Sequence, residues 1–430
     1  MQKDKIPPSF KPSPLGLIPD DWQVREMTDI CDKITDGTHD TPIPTEEGIP
    51  FLTAIHVKED LIDFASCYFL PEETHREIYR RCNPQKNDVL MVNIGAGVAT
   101  TALVKVDYEF SLKNVALLKP DCKKIIGSYL NYYQIFFKPK LTQSLLNGGA
   151  QPFLSLKQIQ KLNIVLPPLP EQCAISAFLN TWDNAISKVQ ALLAQKELRK
   201  KWLMQNLLTG KKRLKGYSEV WKEIKLENSF KFIKSYSISR EGLSNNEGNI
   251  YCIHYGDIHA YYETDFLDFT RQKNIPIIID KKAITNEKDY LKEGDVIIAD
   301  ASEDYEGVGE AVTVFNIEDK IAVGGLHTIV LRDFAGETTN EFRAYLFASE
   351  KVRNELRKKA TGTSVYSVTK TTLESLILNL PSIDEQTAIA KVLQAADNEI
   401  QLLKTKVDKL KEQKKGLMQV LLTGKKRLKI

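Results

Sequence analysis

The feature that most constrains what this chain can fold into is an internal repeat. Leu207 to Lys215 (LLTGKKRLK) recurs unchanged as Leu421 to Lys429, an offset of 214 residues. The same offset continues upstream without a gap: it pairs Glu171-Gln172 with Glu385-Gln386, Asp183-Asn184 with Asp397-Asn398, and Leu203-Met204-Gln205 with Leu417-Met418-Gln419. Over Leu166 to Lys215, 24 of 50 positions match their partners. Shared amphipathic periodicity would require neither the glycine and proline identities nor the charged ones. The chain is therefore two variable regions, each followed by one copy of a repeated segment, as expected of duplicated architectures. Weaker echoes lie outside the repeat. Asp88-Val89-Leu90 resembles Asp295-Val296-Ile297, and Asp21-Trp22 resembles Val220-Trp221.

Each repeated segment reads as a long helix. Proline-marked starts (Leu166-Pro167 and Leu380-Pro381) precede carboxylates suited to a helix N-terminus, so helices are expected to begin near Glu171 and Glu385. Ser382 and Glu385 have the spacing of a capping box. In the second copy apolar residues fall at Ile389, Leu393, Ala396, Ile400, Leu403, Val407, Leu410, Leu417 and Leu421, a heptad stripe broken at Lys414. Gly210 and Gly424 stand where C-capping glycines belong. Helices of about 35 residues would be about 50 Å long, beyond ordinary globular helices and suited to a coiled-coil spacer. Two arrangements are open: an antiparallel pair relating the two halves by a pseudo-twofold axis, or each helix packed on its own domain.

Composition bounds the remainder. At 430 residues, the length suggests two to four domains. With 42% hydrophobic and 27% charged residues, the chain can bury a sizeable core and is not disordered. No apolar run is long enough to span a membrane, and the opening Met1-Gln2-Lys3-Asp4-Lys5 lacks a signal-peptide core, so a cytoplasmic location without a membrane partner is expected. The six cysteines are dispersed without Cys-x-x-Cys spacing, and read as reduced, mostly buried thiols.

Residues 1–165 and 216–379 read as mixed α/β, with β-branched runs such as Val89 to Val92 and Val296 to Ile298 between turn-rich loops. Catalytic signatures are missing from them. Gly95-Ala96-Gly97 lacks the third glycine of a dinucleotide fingerprint and reads as a tight turn, while Thr209-Gly210-Lys211-Lys212 lacks the rest of a P-loop. Asn83-Pro84-Gln85-Lys86 is not the Asn/Asp-Pro-Pro-aromatic segment of amino-methyltransferases, and no nuclease carboxylate cluster stands out. The six histidines have no metal-ligand spacing.

In combination these features resemble the DNA specificity subunits of Type I restriction-modification systems over nearly the whole chain. The resemblance is carried by the opening Gly16 to Trp22 (GLIPDDW), the loop Asp36 to Pro42 (DGTHDTP), Gly325-Leu326-His327-Thr328, and the two Leu-Pro-x-x-x-Glu-Gln segments running to Leu-Leu-Thr-Gly-Lys-Lys-Arg-Leu. The implied fold is α+β. Target-recognition domains at 1–165 and 216–379 are separated by conserved spacer helices at 166–215 and 380–430, which form an antiparallel coiled coil. The implied function is non-catalytic: each domain reads one half of a split, asymmetric double-stranded DNA target, and the helices set the gap. Two modification subunits that bind S-adenosylmethionine and methylate adenine at N6 assemble on it. Two restriction subunits join for ATP- and Mg-dependent translocation and cleavage. No cofactor is expected in this chain. A methylation-only system, a self-contained DNA methyltransferase and a scaffold without a DNA role are the competing readings. Gly416, where the first copy has Trp202, puts the straightness of the second helix in question.

Sequence-discriminating contacts come from side chains that hydrogen-bond base edges. The candidates are Thr38, His39, Asn93, Thr100 and Gln151 in the first domain, and Ser235, Tyr236, Arg240, Ser302, Tyr305, Ser364 and Tyr366 in the second. Subunit-interface or spacer roles are expected for Glu171, Gln172, Gly210, Lys211, Glu385, Gln386, Gly424 and Lys425. The net charge of +3 conceals a division. Residues 195–215 and 404–429 carry about +15 between them and the rest about −12. The basic stretches are either solvated helix ends or phosphate contacts. Acidic reading domains would leave much of the phosphate neutralisation to partners, so DNA binding by this chain alone should be weak and salt-sensitive.

Overall fold

The computed structural model describes residues 9–146, 152–246, 248–262, 265–280, 284, 286–362 and 365–429. Val89-Leu90-Met91-Val92 becomes the strand Val89–Val92, buried at all four residues. It lies in an antiparallel sheet ordered Thr101–Leu103, Val89–Val92, Val115–Pro120, Cys31–Asp36. Successive strand residues face opposite ways, and both faces are covered. Val89, Met91, Ala116 and Leu118 enter a core with Tyr129, Leu130 and Tyr133 of the helix Gly127–Leu146. Leu90, Val92, Val115 and Leu117 enter a second core with Cys82, Phe110 and Leu112.

The second variable region repeats this plan. Its sheet runs Phe230–Ile233, Thr328–Asp333, Val296–Ala299, Ala311–Phe315, Phe266–Asp268, with only the last pair parallel. Val296, Ile298, Ile329 and Leu331 pack with Phe342, Tyr345 and Leu346 of the helix Asn340–Ala348, whereas Ile297, Ala299 and Val330 face the other core. The sequence echo is structural as well. Asp88 and Asp295 each stand one residue before a central strand and pair with a cation on the neighbouring strand, Lys119 at 2.6 Å and Arg332 at 2.6 Å.

A short strand at the start of each region pairs antiparallel with the strand that runs into its long helix: Gln23–Glu26 with Asn163–Leu166, and Lys222–Lys225 with Ile377–Leu380. The long helices span Leu169–Leu207 and Ile383–Leu421, 39 residues each. Both are followed by a glycine in the left-handed region, Gly210 at φ 71° and Gly424 at φ 69°, as the capping argument requires. Helical structure is unbroken through Gly416. The capping box is not formed: Glu385 turns away from Ser382, because its carboxylate is taken by other donors described below.

By contacts the chain divides into two units, Met1–Gln190 with Thr405–Ile430, and Ala191–Lys404. Each unit holds the first part of one long helix and the last part of the other. In the first, Ile175 and Leu179 share a core with Met418, Leu421 and Leu422; in the second, Leu207 and Leu208 share one with Ile389, Ala390 and Leu393. Within each unit the segments run antiparallel, and the packing of each helix on its own domain alone is excluded.

All six cysteines are free. Cys67, Cys82 and Cys252 are buried and Cys31 is half-buried, but Cys122 and Cys173 are exposed, so thiol burial is less complete than expected. Burial pushes the Cys252 thiol up to about 12. Among the described residues no helix is long and apolar enough to cross a membrane. Truncating a central strand should be costly. Leu90→Ala and Ile297→Ala, both fully buried, are expected to lose about 2–5 kcal/mol each in urea unfolding.

Candidate nucleic-acid interface and the clasps behind it

The repeated Glu-Gln and Lys-Lys-Arg motifs meet across copies. Glu171, 1% exposed, accepts from Trp22 Nε1 at 3.0 Å and from the Arg427 guanidinium at 2.5 and 2.7 Å. Arg427 also forks onto Asp21 at 2.8 and 3.0 Å, which holds that carboxyl below its usual range. In the second unit Glu385, 1% exposed, accepts from Arg213 at 2.5 and 2.6 Å and from Trp221 Nε1 at 3.2 Å. Each guanidinium also lies over its tryptophan ring, at 5.5 Å (Arg427 on Trp22) and 5.6 Å (Arg213 on Trp221). The short strand pairs explain the placement, since Gln23 lies opposite Leu166 and so brings Trp22 beside the start of the helix.

The adjoining glutamines fasten each helix start to its variable region. Gln172 donates to the carbonyls of Lys124 and Pro167 and accepts from the Ile126 amide; Gln386 donates to those of Glu337 and Pro381 and accepts from the Thr339 amide. A second contact follows farther along. Asp183 takes the Tyr132 hydroxyl at 2.7 Å and pairs with Lys414, whose ammonium lies over the Tyr132 ring. Asp397 takes the Tyr345 hydroxyl at 2.6 Å and pairs with Lys200 over the Tyr345 ring. The heptad break at Lys414 is therefore a bonded position, and its counterpart Lys200 repeats it. Asp60 and Asp265, half-buried near these lysines, are shifted upward by desolvation.

In the first variable region the loop Asp36 to Pro42 leaves the sheet edge. Gly37 passes so near the Leu112 carbonyl that a Cβ there would lie 2.0 Å from the oxygen, which accounts for the glycine. Thr38 is buried, its amide bonded to Leu112 O. His39 is exposed and bonds Asn114 at 2.8 Å and Asp36 at 3.1 Å, with Arg81 reaching the same Asp36 at 2.6 Å. Thr100 and Asn93 are buried at the turn joining the central strands, and Asn93 Oδ1 has no partner among the described residues. Gly95 and Gly97 form that turn, with Val98 N donating to Gly95 O and Thr100 N to Gly97 O. Gln151 lies outside the described residues. The structure thus joins Thr38 and His39 to Arg81 and Asn114, which composition and motif alone did not single out.

In the second region Ser235 hydrogen-bonds Thr328, and Tyr236 is buried with its hydroxyl on Asp289 at 2.7 Å. Arg240 forks onto buried Asp257 at 2.5 and 3.1 Å. His327 has a positive φ of 54°, as Asn114 does at 51°, and bonds Asp300 at 3.2 Å, so Gly325-Leu326-His327-Thr328 is a turn beside the sheet edge. Buried Ser302 pairs in register with Tyr366, whose ring meets exposed Tyr305 edge-on at 5.5 Å. The loop bearing Tyr305 is pinned by Arg353 and Arg357, each donating to Glu306 O at 2.5 Å. Behind it a cavity of about 150 Å³ is lined by His259, Tyr262, Asp265, Glu310 and Arg353. Ser364 lies outside the described residues. Lys211 and Lys425 are exposed. Among the described residues no group of three or more His, Cys, Asp or Glu side chains could hold a metal ion.

Two expectations follow. Arg427→Ala leaves Glu171 buried without a cation; with the arginine itself partly exposed, the loss in urea unfolding should be about 2–3 kcal/mol. Adding Glu171→Ala should cost less than the sum of the single changes. His259 bonds Glu310 at 2.6 Å, and this outweighs burial to raise its pKa. The pair's stabilisation is then full below the ordinary histidine value and is lost as pH rises through the raised one. NMR titration should find the His259 pKa lower in Glu310→Gln.

Comparison with known proteins follows this geometry. The family model described as "Type I restriction modification DNA specificity domain" matches twice, over residues 19–195 and 218–412. The MjaX type I restriction enzyme specificity subunit of Methanocaldococcus jannaschii is 27% identical, with 98% of this chain and 97% of that protein covered. The MjaVIII specificity subunit of the same organism is 25% identical over 96% and 94%. In fold, the chain is similar to one from a structural study of complex assembly and conformational transition in the type I R-M system: TM-score 0.62, 17% identity, 95% of this chain and 99% of that one. It is also similar to the type I S subunit from M. genitalium: TM-score 0.53, 14% identity, 93% and 96%. With both recognition regions and most of both long helices inside the matched residues, the chain belongs to the type I restriction-modification DNA specificity family.

Proposed function

We propose that this chain is the non-catalytic DNA-reading subunit of a type I assembly. Each recognition region reads one half of a split double-stranded target, the paired helices set the unspecified gap, and two modification subunits dock on the repeated segments. Restriction subunits join that complex, and S-adenosylmethionine, ATP and Mg are bound by the partners.

The observation that carries this reading is the pattern of identities on the repeated helices. Buried and half-buried identities have internal work: Glu171 and Glu385, Gln172 and Gln386, Asp183 and Asp397 all hold the fold. Exposed identities do not. Asn184 and Asn398, Lys201 and Lys415, Gln205 and Gln419, Lys211 and Lys425 are identical yet exposed. The recognition regions have diverged almost throughout, so duplication alone does not explain why these surface positions match. A partner bound once on each copy does.

Base reading falls to the loops beside the sheet edges. There His39, Arg81 and Asn114 in one region, and Arg240, Tyr305 and His327 in the other, offer donors, acceptors and rings to the grooves. Buried Thr38, Asn93, Thr100, Tyr236 and Ser302, with half-buried Ser235 and Tyr366, support those loops. A helix of 39 residues is about 58 Å long, enough for half-sites about one DNA turn apart.

The test is modular exchange. Replacing residues 1–165 with those of a relative should change one half of the methylated sequence in long-read methylation maps, and adding whole turns to both helices should lengthen the gap. Alteration of both halves by the first change overturns the reading. The isolated chain should bind DNA weakly and lose affinity steeply with salt; nanomolar specific binding at physiological salt, or tight S-adenosylmethionine binding, would contradict it.

A further inference from the structure

The two repeated segments are not equal on the outside. Among the described residues, every exposed large apolar side chain on the long helices belongs to the unit Ala191–Lys404: Leu192, Leu198, Trp202, Ile383 and Leu402. The helical stretches of the other unit have none. Leu198, 69% exposed, and Trp202, 46% exposed, are four residues apart and share a helix face. At the offset of 214 their counterparts are Glu412 and Gly416. Several nearby positions are shared, Lys201 with Lys415, Gln205 with Gln419, Lys211 with Lys425 and Lys212 with Lys426, whereas Gln195, Arg199 and Asn206 have Lys409, Gln413 and Val420 as counterparts. One copy thus presents a cationic face with an apolar anchor, and the other a cationic face with the same shared lysines but without the anchor.

We propose that Leu198 and Trp202 make the two modification-subunit docking faces unequal, so that the first subunit is captured at the anchored copy and the second binds more weakly. This rests on the reading that one kind of partner binds both copies. The lysines common to both faces fit a partner surface rimmed with acids, which commits the apolar face to that partner. Tryptophan is among the side chains enriched where a few residues carry most of an interface's binding energy. Trp202 is already set in place, with the Lys212 ammonium 4.6 Å from its ring. At Gly416 nothing lies within 4 Å of where a Cβ would stand, so a larger residue can be placed there without a clash.

The experiment is a titration of the cognate modification subunit into the full chain, read by native mass spectrometry and calorimetry. Wild type should bind in two steps of clearly different affinity. Trp202→Gly should weaken the tighter step at least about tenfold, the loss expected for an interface residue worth more than about 1.4 kcal/mol, and bring the two steps together. Gly416→Trp should strengthen the weaker step, and circular dichroism should show both variants folded. Two equal steps in wild type, or a tighter step unmoved by Trp202→Gly, overturn the inequality while leaving two-site docking intact. Failure of any modification subunit to bind either copy overturns the underlying reading instead.

Discussion

Much of the architecture depends on a carboxylate that water cannot reach. Glu171 and Glu385 are each 1% exposed at the start of a long helix, and an unpaired charge there would be untenable. Each is satisfied by an arginine from the far copy of the repeat and by the indole of a tryptophan that opens the recognition region. Three stretches distant in sequence thereby converge on one charge: the strand start, the helix start and the tail of the other helix. Removing any of them leaves the others with buried, unmatched polarity. The clasp therefore penalises alternative registers of the helices as well as stabilising one of them.

The same economy governs the basic stretches. Of the eighteen Lys and Arg in residues 195–215 and 404–429, Lys196, Lys200, Arg213, Lys414 and Arg427 are paired with acids within the fold, and Lys404 makes a surface pair with Glu197. A good part of what reads as a phosphate-seeking tail is internal wiring. The exposed remainder includes Lys201, Lys211 and Lys215 with their repeats, together with Arg199, Lys406, Lys409 and Lys411. The loop bearing Tyr305 holds Glu303, Asp304 and Glu306 and is itself acidic.

Duplication was legible without coordinates, and so were the long helices and their glycine caps, because helical periodicity and left-handed capping are local properties. The central strands were legible for the same reason: Val89 to Val92 and Val296 to Ile298 are apolar on both faces, the mark of a strand covered twice. The loops were less so. Thr38 and Asn93 looked like readers by residue type, yet both side chains are buried, and burial is set by what packs from elsewhere in the chain. Arg81 and Asn114 belong to no motif and join His39 only because the helix Glu72–Cys82 and the turn before Val115 converge there.

The sequence by itself determined that there are two copies of one device, where each helix ends, and which residues recur. Only the tertiary structure decided what the recurring residues do. Glu171 looks like a helix-dipole carboxylate and Lys414 like an interruption of a heptad, because local patterning contains no information about a partner some 230 to 260 positions away. Folding brings those positions within hydrogen-bonding distance. There the low dielectric of the interior makes a matched charge strongly favourable and an unmatched one prohibitive.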